Sequence, residues 1–290
     1  MSVFPEEFLA RGGRVTESGG ETMDDAGEAE AYQGTARKLW PWLVLPFARR
    51  ALQRLPHGGR ILDVCSGPGL SAVYWATKRP DAEVVGIDLS PAMLRLARAN
   101  AAGCGVGDRV SFIEAEATDT GLRAGSFDVI TCHYALHHFK DPAAALREMK
   151  RLVKPGGVVL VRDLVRPSPW IGRASAIFTR MVLRNSEEQN RQYAESLAAS
   201  LTATELREAL SKAGLKGFKV SSGPIHVWAR LLPAATKPGT RSITHERLGR
   251  VLAGLSVAAA LVLAHCHHPL WLVAAGGVAL NLAVSGITDR

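Results

Sequence analysis

An α/β fold on a doubly wound, mostly parallel seven-stranded sheet is what this sequence predicts, and three observations predict it. An apolar run, Ile61-Leu62-Asp63-Val64, passes straight into a glycine turn, Cys65-Ser66-Gly67-Pro68-Gly69. Helix-compatible residues follow from Leu70 to Lys78, and a second apolar run, Val84-Val85-Gly86-Ile87, ends on an acid, Asp88. Further strand-like runs then arrive in order, as a chain of βαβ units requires.

The first run has the composition of a buried parallel strand. Gly67 and Gly69 let the backbone turn tightly and approach a ligand that a Cβ would hold off. The helix from Leu70 turns its free N–H groups toward that ligand. Asp88 ends the second strand, where an acidic side chain takes both hydroxyls of a ribose. Val110 to Ala115 is a third strand leading to Glu116-Ala117, Phe127 to Cys132 a fourth, and Leu152-Val153-Lys154-Pro155-Gly156-Gly157 turns into a fifth at Val158 to Val161. Beyond it Arg166-Pro167-Ser168-Pro169-Trp170 breaks the pattern, and helices are predicted over Ile171 to Leu183 and Asn185 to Ser200. Thr202-x-x-Glu205 is a capping box for a helix to about Lys212, stopped by Gly214. Phe218-Lys219-Val220 and Ile225 to Ala229 read as a closing antiparallel hairpin. At the start, Asp24 to Gln53 is helical, with Tyr32, Leu39, Trp42 and Leu43 available for an apolar face. The segment Trp40 to Phe47 either packs on the sheet edge, roofs the bound nucleoside or touches lipid.

Gly67-x-Gly69-x-x-Ala72 also fits a loose dinucleotide fingerprint. Asp63 argues against that reading, because a carboxylate beside the loop suits a cationic ligand and repels a pyrophosphate. Together, Asp63 to Gly69, Gly86-Ile87-Asp88-Leu89-Ser90, Gly125-Ser126-Phe127-Asp128, Ala135-Leu136-His137-His138-Phe139 and Leu152 to Gly157 resemble the motifs of the class I S-adenosylmethionine-dependent methyltransferases, over residues 23–232. The resemblance implies the Rossmann-like fold of that family and S-adenosyl-L-methionine as cofactor. It implies a cofactor-binding set of Asp63, Cys65, Ser66, Gly67, Gly69, Asp88, Leu89, Glu116, Ala117 and His133. In that set Gly67 and Gly69 face the methionine portion, Asp88 holds the ribose, and Glu116-Ala117 lies by the adenine. Glu116 stands where most relatives have Asp, and Cys65-Ser66 replaces the commoner Gly-Cys pair.

Ligands of such sheets gather at the carboxyl ends of the strands. That places Cys132-His133-Tyr134 and Arg162-Asp163 at the acceptor mouth. His133, whose ordinary pKa lies near neutrality, is the expected proton acceptor. Tyr134 is expected to close over the cofactor, and Asp163 to orient an amine or hydroxyl. The alternative for His133 is a polar pocket lining, since proximity alone can carry methyl transfer. His137 and His138 read as a structural loop. Trp170, Phe178, Met181 and Tyr193 are candidate pocket walls and favour an apolar to mixed acceptor.

From Val251 to Thr288 there is no Asp, Glu, Lys or Arg, and two apolar blocks flank His265-Cys266-His267-His268-Pro269. This reads as a transmembrane hairpin over 247–290, joined by a linker over 233–246 and resembling a two-helix membrane module of other bacterial enzymes. Arg241, Arg247, Arg250 and Arg290 flank it, which favours both ends in the cytoplasm. The expected location is therefore the bacterial inner membrane, with lipid as a partner and the catalytic domain on the cytoplasmic side. The alternative is a buried dimerisation hairpin, making the chain a homodimer. The His-Cys-His-His turn reads as a polar interface rather than a metal site, and no metal is expected.

Residues 1–22 read as a flexible leader without a secretory signal. Net charge is +8, yet no run of five or six Lys/Arg occurs, so a nucleic-acid partner is not expected. The four cysteines, at 65, 104, 132 and 266, form no paired framework and read as free thiols. The expected function is methyl transfer to a small, apolar or membrane-associated acceptor. Three other readings remain open: a non-catalytic membrane-docked sensor, a thiol or metalloid methyltransferase built around Cys65 and Cys132, and a dinucleotide oxidoreductase.

Overall fold

A computed structural model of the protein describes residue 14, residues 24–168, residue 172, and residues 187–215, 217–223 and 226–231. The predicted transmembrane hairpin, the linker, nearly all of the leader, the helix predicted over 171–183 apart from Gly172, and the wall residues Trp170, Phe178 and Met181 lie outside the described residues. Among the described residues no helix is long and apolar enough to cross a membrane.

The strands are β1 (Arg60–Val64), β2 (Glu83–Asp88), β3 (Val110–Glu114), β4 (Phe127–His133), β5 (Val153–Leu164), β6 (Phe218–Ser222) and β7 (His226–Leu231). They form one seven-stranded sheet in the order β3-β2-β1-β4-β5-β7-β6. β1 to β5 pair in parallel, and β7 runs antiparallel to both β5 and β6. The order reverses between β1 and β4, the position where doubly wound sheets open a ligand crevice.

Helices cover both faces: α1 (Ala26–Leu39), α2 (Leu45–Leu52), α3 (Leu70–Lys78), α4 (Pro91–Gly103), α5 (Pro142–Leu152), α6 (Glu187–Ala199) and α7 (Ala203–Lys212). Alternation along each strand divides the core in two. Ile61, Val84, Val129 and Leu160 pack on one face with Phe47 of α2, Trp75 of α3 and Leu94 of α4. Leu62, Ile87, Ile130 and Val161 pack on the other with Leu146 and Met149 of α5 and Leu206 of α7. The Trp75 indole, fully buried, donates to the Ala48 carbonyl at 2.9 Å, so its polar edge is satisfied.

Local chemistry sets the ends. Ser90 caps α4, accepting from the Met93 N–H at 3.1 Å, with Pro91 in the first turn. The capping box at Thr202 and Glu205 is complete, and Gly214 adopts φ 67° after α7, as predicted. The helix predicted over 24–53 is interrupted by a π-helical turn at Trp40–Val44, closed by the Leu45 N–H on the Trp40 carbonyl. Pro41 and Pro46 explain it: neither has an N–H for the α-helical ladder, and each ring crowds the carbonyl four residues back. The predicted apolar face is also corrected. Tyr32 is 42% exposed and Trp42 58% exposed, while the buried residue of α1 is Ala29.

Candidate active site

The turn between β1 and α3 is held open by backbone conformation. Cys65, Gly67 and Gly69 have φ of 55°, 51° and 70°. For Gly69 the need for glycine comes from packing: an added Cβ would lie 2.7 Å from Phe112 Cζ and 2.8 Å from Ala97 Cβ. Gly69 thus lets α3 approach β3 and α4. At Gly67 the nearest atom to such a Cβ is on the Tyr32 ring, 3.9 Å away, so this glycine faces the cleft under Tyr32. Cys65 takes a left-handed conformation without being glycine, at a cost of about 1–2 kcal/mol.

Asp88 closes the other side. Its Oδ2 accepts from the Gly67 N–H at 2.8 Å and its Oδ1 from the Ser90 N–H at 3.0 Å. Each oxygen keeps a lone pair for a diol. Burial raises the Asp88 pKa against the pull of these bonds. Ser66 Oγ is buried with no partner, and Leu89 is exposed beside Asp88. An orphan hydroxyl, a carboxylate with capacity and an open apolar side chain suit the polar and flat parts of a nucleoside. Glu116 is exposed, accepting from the Thr118 hydroxyl, while Ala117 is buried in the core.

Asp63 lies beneath the turn, 4% exposed, accepting from the Thr131 hydroxyl at 2.7 Å. Burial foremost, with the Asp88 charge adding, pushes its pKa up to about 7 against that hydrogen bond. A cationic ligand above it would favour the ionised form. Thr131 escaped the sequence reading, although a hydroxyl inside the apolar run of β4, two residues before His133, is a readable signal.

At the carboxyl ends of β4 and β5 the predicted residues separate onto two faces. His133 stacks on Phe47, with ring centroids 4.4 Å apart and planes 10° apart. Its pKa is well below the ordinary value, through burial, then the charges of Arg162 and His226. A desolvated imidazole beside a guanidinium is a weaker base than the near-neutral group expected from the sequence. Tyr134, at φ 55°, meets His226 Nε2 at 2.5 Å. Burial raises its pKa, so the phenol keeps its proton.

Asp163 is fully buried, and its placement corrects the expected role. Oδ2 accepts from the His137 N–H at 2.8 Å, and Oδ1 meets His137 Nδ1 at 2.6 Å and the Leu164 N–H at 2.8 Å. It holds the loop after β4 rather than offering an oxygen to an acceptor. Arg14, within the segment read as leader, donates to the same loop at the His137 carbonyl (2.8 Å) and to Ala199 (2.7 Å). Cys65 and Cys132 both have raised pKa values from burial, which keeps the thiols protonated. Phe47, His226 and Trp228 join His133 and Tyr134 from distant elements, which local sequence patterns do not show.

Residues 62–161 match the methyltransferase domain family. The chain is 28% identical over 180 residues to the ubiquinone/menaquinone biosynthesis C-methyltransferase of Hahella chejuensis, covering 58% of this chain and 72% of that protein. It is 38% identical over 117 residues to the demethylmenaquinone methyltransferase of Thermus thermophilus, covering 40% of this chain and 51% of that one. The chain thus spans about half the length of the second relative. A solved structure from Methanococcus maripaludis superposes with a TM-score of 0.57 at 18% identity, covering 77% of this chain and 99% of that one. The S-adenosylmethionine-dependent methyltransferase of Aquifex aeolicus gives a TM-score of 0.53 at 17% identity, covering 72% and 99%. At such identities these two structures speak for the fold. With the glycine turn, the acid ending β2 and these relatives in view, the chain is an S-adenosylmethionine-dependent methyltransferase and S-adenosylmethionine is its cofactor.

Proposed function

We propose that the chain methylates a small, flat, apolar acceptor of the quinol type at the cytoplasmic face of a bacterial inner membrane, tethered there by residues 247–290. The observation that carries this reading is the aromatic cluster at the carboxyl ends of β4 and β5, in which half-buried His133 and Tyr134 are backed by buried Phe47 and Trp228. Phe47 stacks on His133, Phe47 and Trp228 have centroids 5.8 Å apart, and Tyr134 borders His133 at 4.1 Å. Such clusters favour a ring over a sugar or a phosphorylated acceptor. The Hahella and Thermus relatives, named for methylation in ubiquinone or menaquinone synthesis, support a ring acceptor.

When bound, S-adenosylmethionine supplies an electrophilic methyl group on a cationic sulfur. Asp88 would hold its ribose, Asp63 would face its positive portion, and Glu116 would lie by its adenine. The acceptor would bond to the methyl carbon as the S–CH3 bond breaks, the electron pair would stay on sulfur, and the acceptor's proton would leave to solvent. The protein's share is alignment and exclusion of water. His133 and Tyr134 line the acceptor side of that cleft, and Asp163 fixes the adjoining loop through His137.

The test is to incubate the full chain in lipid vesicles with methyl-labelled S-adenosylmethionine and a panel of demethylated quinols, phenols, alkyl thiols and arsenite. Label in a quinol or phenol, found by mass spectrometry, supports the proposal. Label confined to thiols or arsenite, or none with cofactor bound, contradicts it.

A further inference from the structure

Arg162 breaks the usual rule for buried charge. Its side chain is 2% exposed, yet no carboxylate pairs with it among the described residues. Buried guanidinium groups are ordinarily paired, because desolvation is costly. Here one nitrogen donates to the Leu43 carbonyl, the flat cation lies over Trp228 (4.8 Å) and Tyr134 (5.4 Å), and Nε has no partner. Desolvation lowers its pKa, the mark of a cation without a compensating anion.

Two further orphans share this face. Arg162 pairs in register with His133 of β4 and Trp228 of β7, and Leu164 with His226. Side chains in register share a face. His133 Nε2 and His226 Nδ1 are buried without partners. When the Tyr134 hydroxyl donates to His226 Nε2, the proton of that neutral imidazole lies on Nδ1, a donor with nothing to bind. Arg50 adds a second guanidinium, 5.1 Å from the Trp228 centroid. The π-helical turn Trp40–Val44 lies over this face: its Leu43 carbonyl accepts from Arg162, Trp40 packs against the core beside Tyr74, and Trp42 is 58% exposed.

We propose that Arg162, with His226 and His133, forms an oxyanion subsite that binds the ionised ring oxygen of a phenol- or hydroquinone-class acceptor beside the half-buried Tyr134. This rests on the methyltransferase reading and deepens it. A guanidinium there holds the acceptor as its aryl oxide, the electron-rich form that attacks a methyl carbon, after the phenol proton has gone to solvent. No strong resident base is then required, which agrees with the weak basicity of His133.

The test uses the full chain saturated with S-adenosylhomocysteine and p-nitrophenol as probe, at a pH where most of the free phenol is un-ionised. Only the ionised probe is yellow. Wild-type protein should develop the colour saturably. Arg162→Met should weaken binding of the coloured form about ten- to a hundredfold, as for loss of a hydrogen bond to a charged group, and Arg162→Lys should restore part of it. Calorimetry with S-adenosylhomocysteine reports folding of each variant. Should Arg162→Met fail that check, His226→Gln, which removes the Nδ1 donor, is expected to weaken the colour as well. Wild-type protein that binds S-adenosylhomocysteine but develops no colour overturns the subsite, as does undiminished colour in a folded variant. Wild-type protein that does not bind S-adenosylhomocysteine instead overturns the methyltransferase reading on which the subsite stands.

Discussion

Asp163 grips His137 twice, through the backbone N–H at 2.8 Å and Nδ1 at 2.6 Å, and both residues are buried. Its neighbour Arg162 points to the opposite face of β5, as successive strand residues must. One dipeptide therefore does two jobs: Asp163 fixes the loop after β4, and Arg162 lies against Tyr134 and Trp228 on the other face. Asp163→Ala strands the His137 N–H and should cost about 3–5 kcal/mol in denaturant unfolding. Asp163→Asn keeps an acceptor and should cost distinctly less. Equal losses would mean that the charge, not the geometry, matters.

Asp63 makes cofactor affinity depend on pH. With its pKa pushed up to about 7 by burial, the carboxyl is increasingly protonated as pH falls below that value and must ionise to face a cation. Affinity for S-adenosylmethionine should rise by up to about tenfold per unit as pH climbs toward 7 and level off above it, with proton release on binding. Titration calorimetry in buffers of different ionisation heat measures both. A flat profile without proton release would remove Asp63 from the cation's surroundings.

The same shift makes Asp63 a stability liability. A carboxyl whose pKa is higher folded than unfolded favours the fold fully below about pH 4, and loses that contribution as pH rises through about 7. Asp63→Asn should therefore match wild type near pH 4 and exceed it at about pH 8, by a gain on the order of 4 kcal/mol at most. Its cofactor binding should nonetheless be weaker. Thermal unfolding at the two pH values tests the sign.

Gly67 and Gly69 should respond differently to alanine. Both need a positive φ, costing about 1–2 kcal/mol for alanine. At Gly69 the new methyl also meets Phe112 and Ala97, adding about 1–3 kcal/mol of overpacking. Gly69→Ala should thus lower stability more than Gly67→Ala. Cys65→Gly, which relieves a left-handed residue, should fold as well as wild type. Chemical denaturation of the three variants ranks them.

Local signals made much of this fold legible. An apolar strand, a glycine turn and an acid-terminated second strand are short-range patterns, and Thr202 with Glu205 announces a helix start on its own. The π-helical turn at Trp40–Val44 is not legible, since Pro41 and Pro46 disturb the ladder by an amount that apolar periodicity does not register. The exposure of Tyr32 and Trp42 is not legible for a related reason: spacing shows which side chains share a helix face, not what covers it. Asp63, Gly67 and Asp88 lie close in sequence, so their gathering about one turn is legible there. Arg162 and His226 come onto one face because β7 returns antiparallel beside β5, a relationship that exists only after the sheet closes.

We propose that the glycine turn and Asp88 form the seat of S-adenosylmethionine. Calorimetric titration of the cofactor into wild-type protein and Asp88→Ala reports on that seat without relying on turnover. Saturable binding to wild type, weakened by about 1–3 kcal/mol in the variant, is the expected result. No binding to folded wild-type protein, or equal affinity for the two, would contradict it.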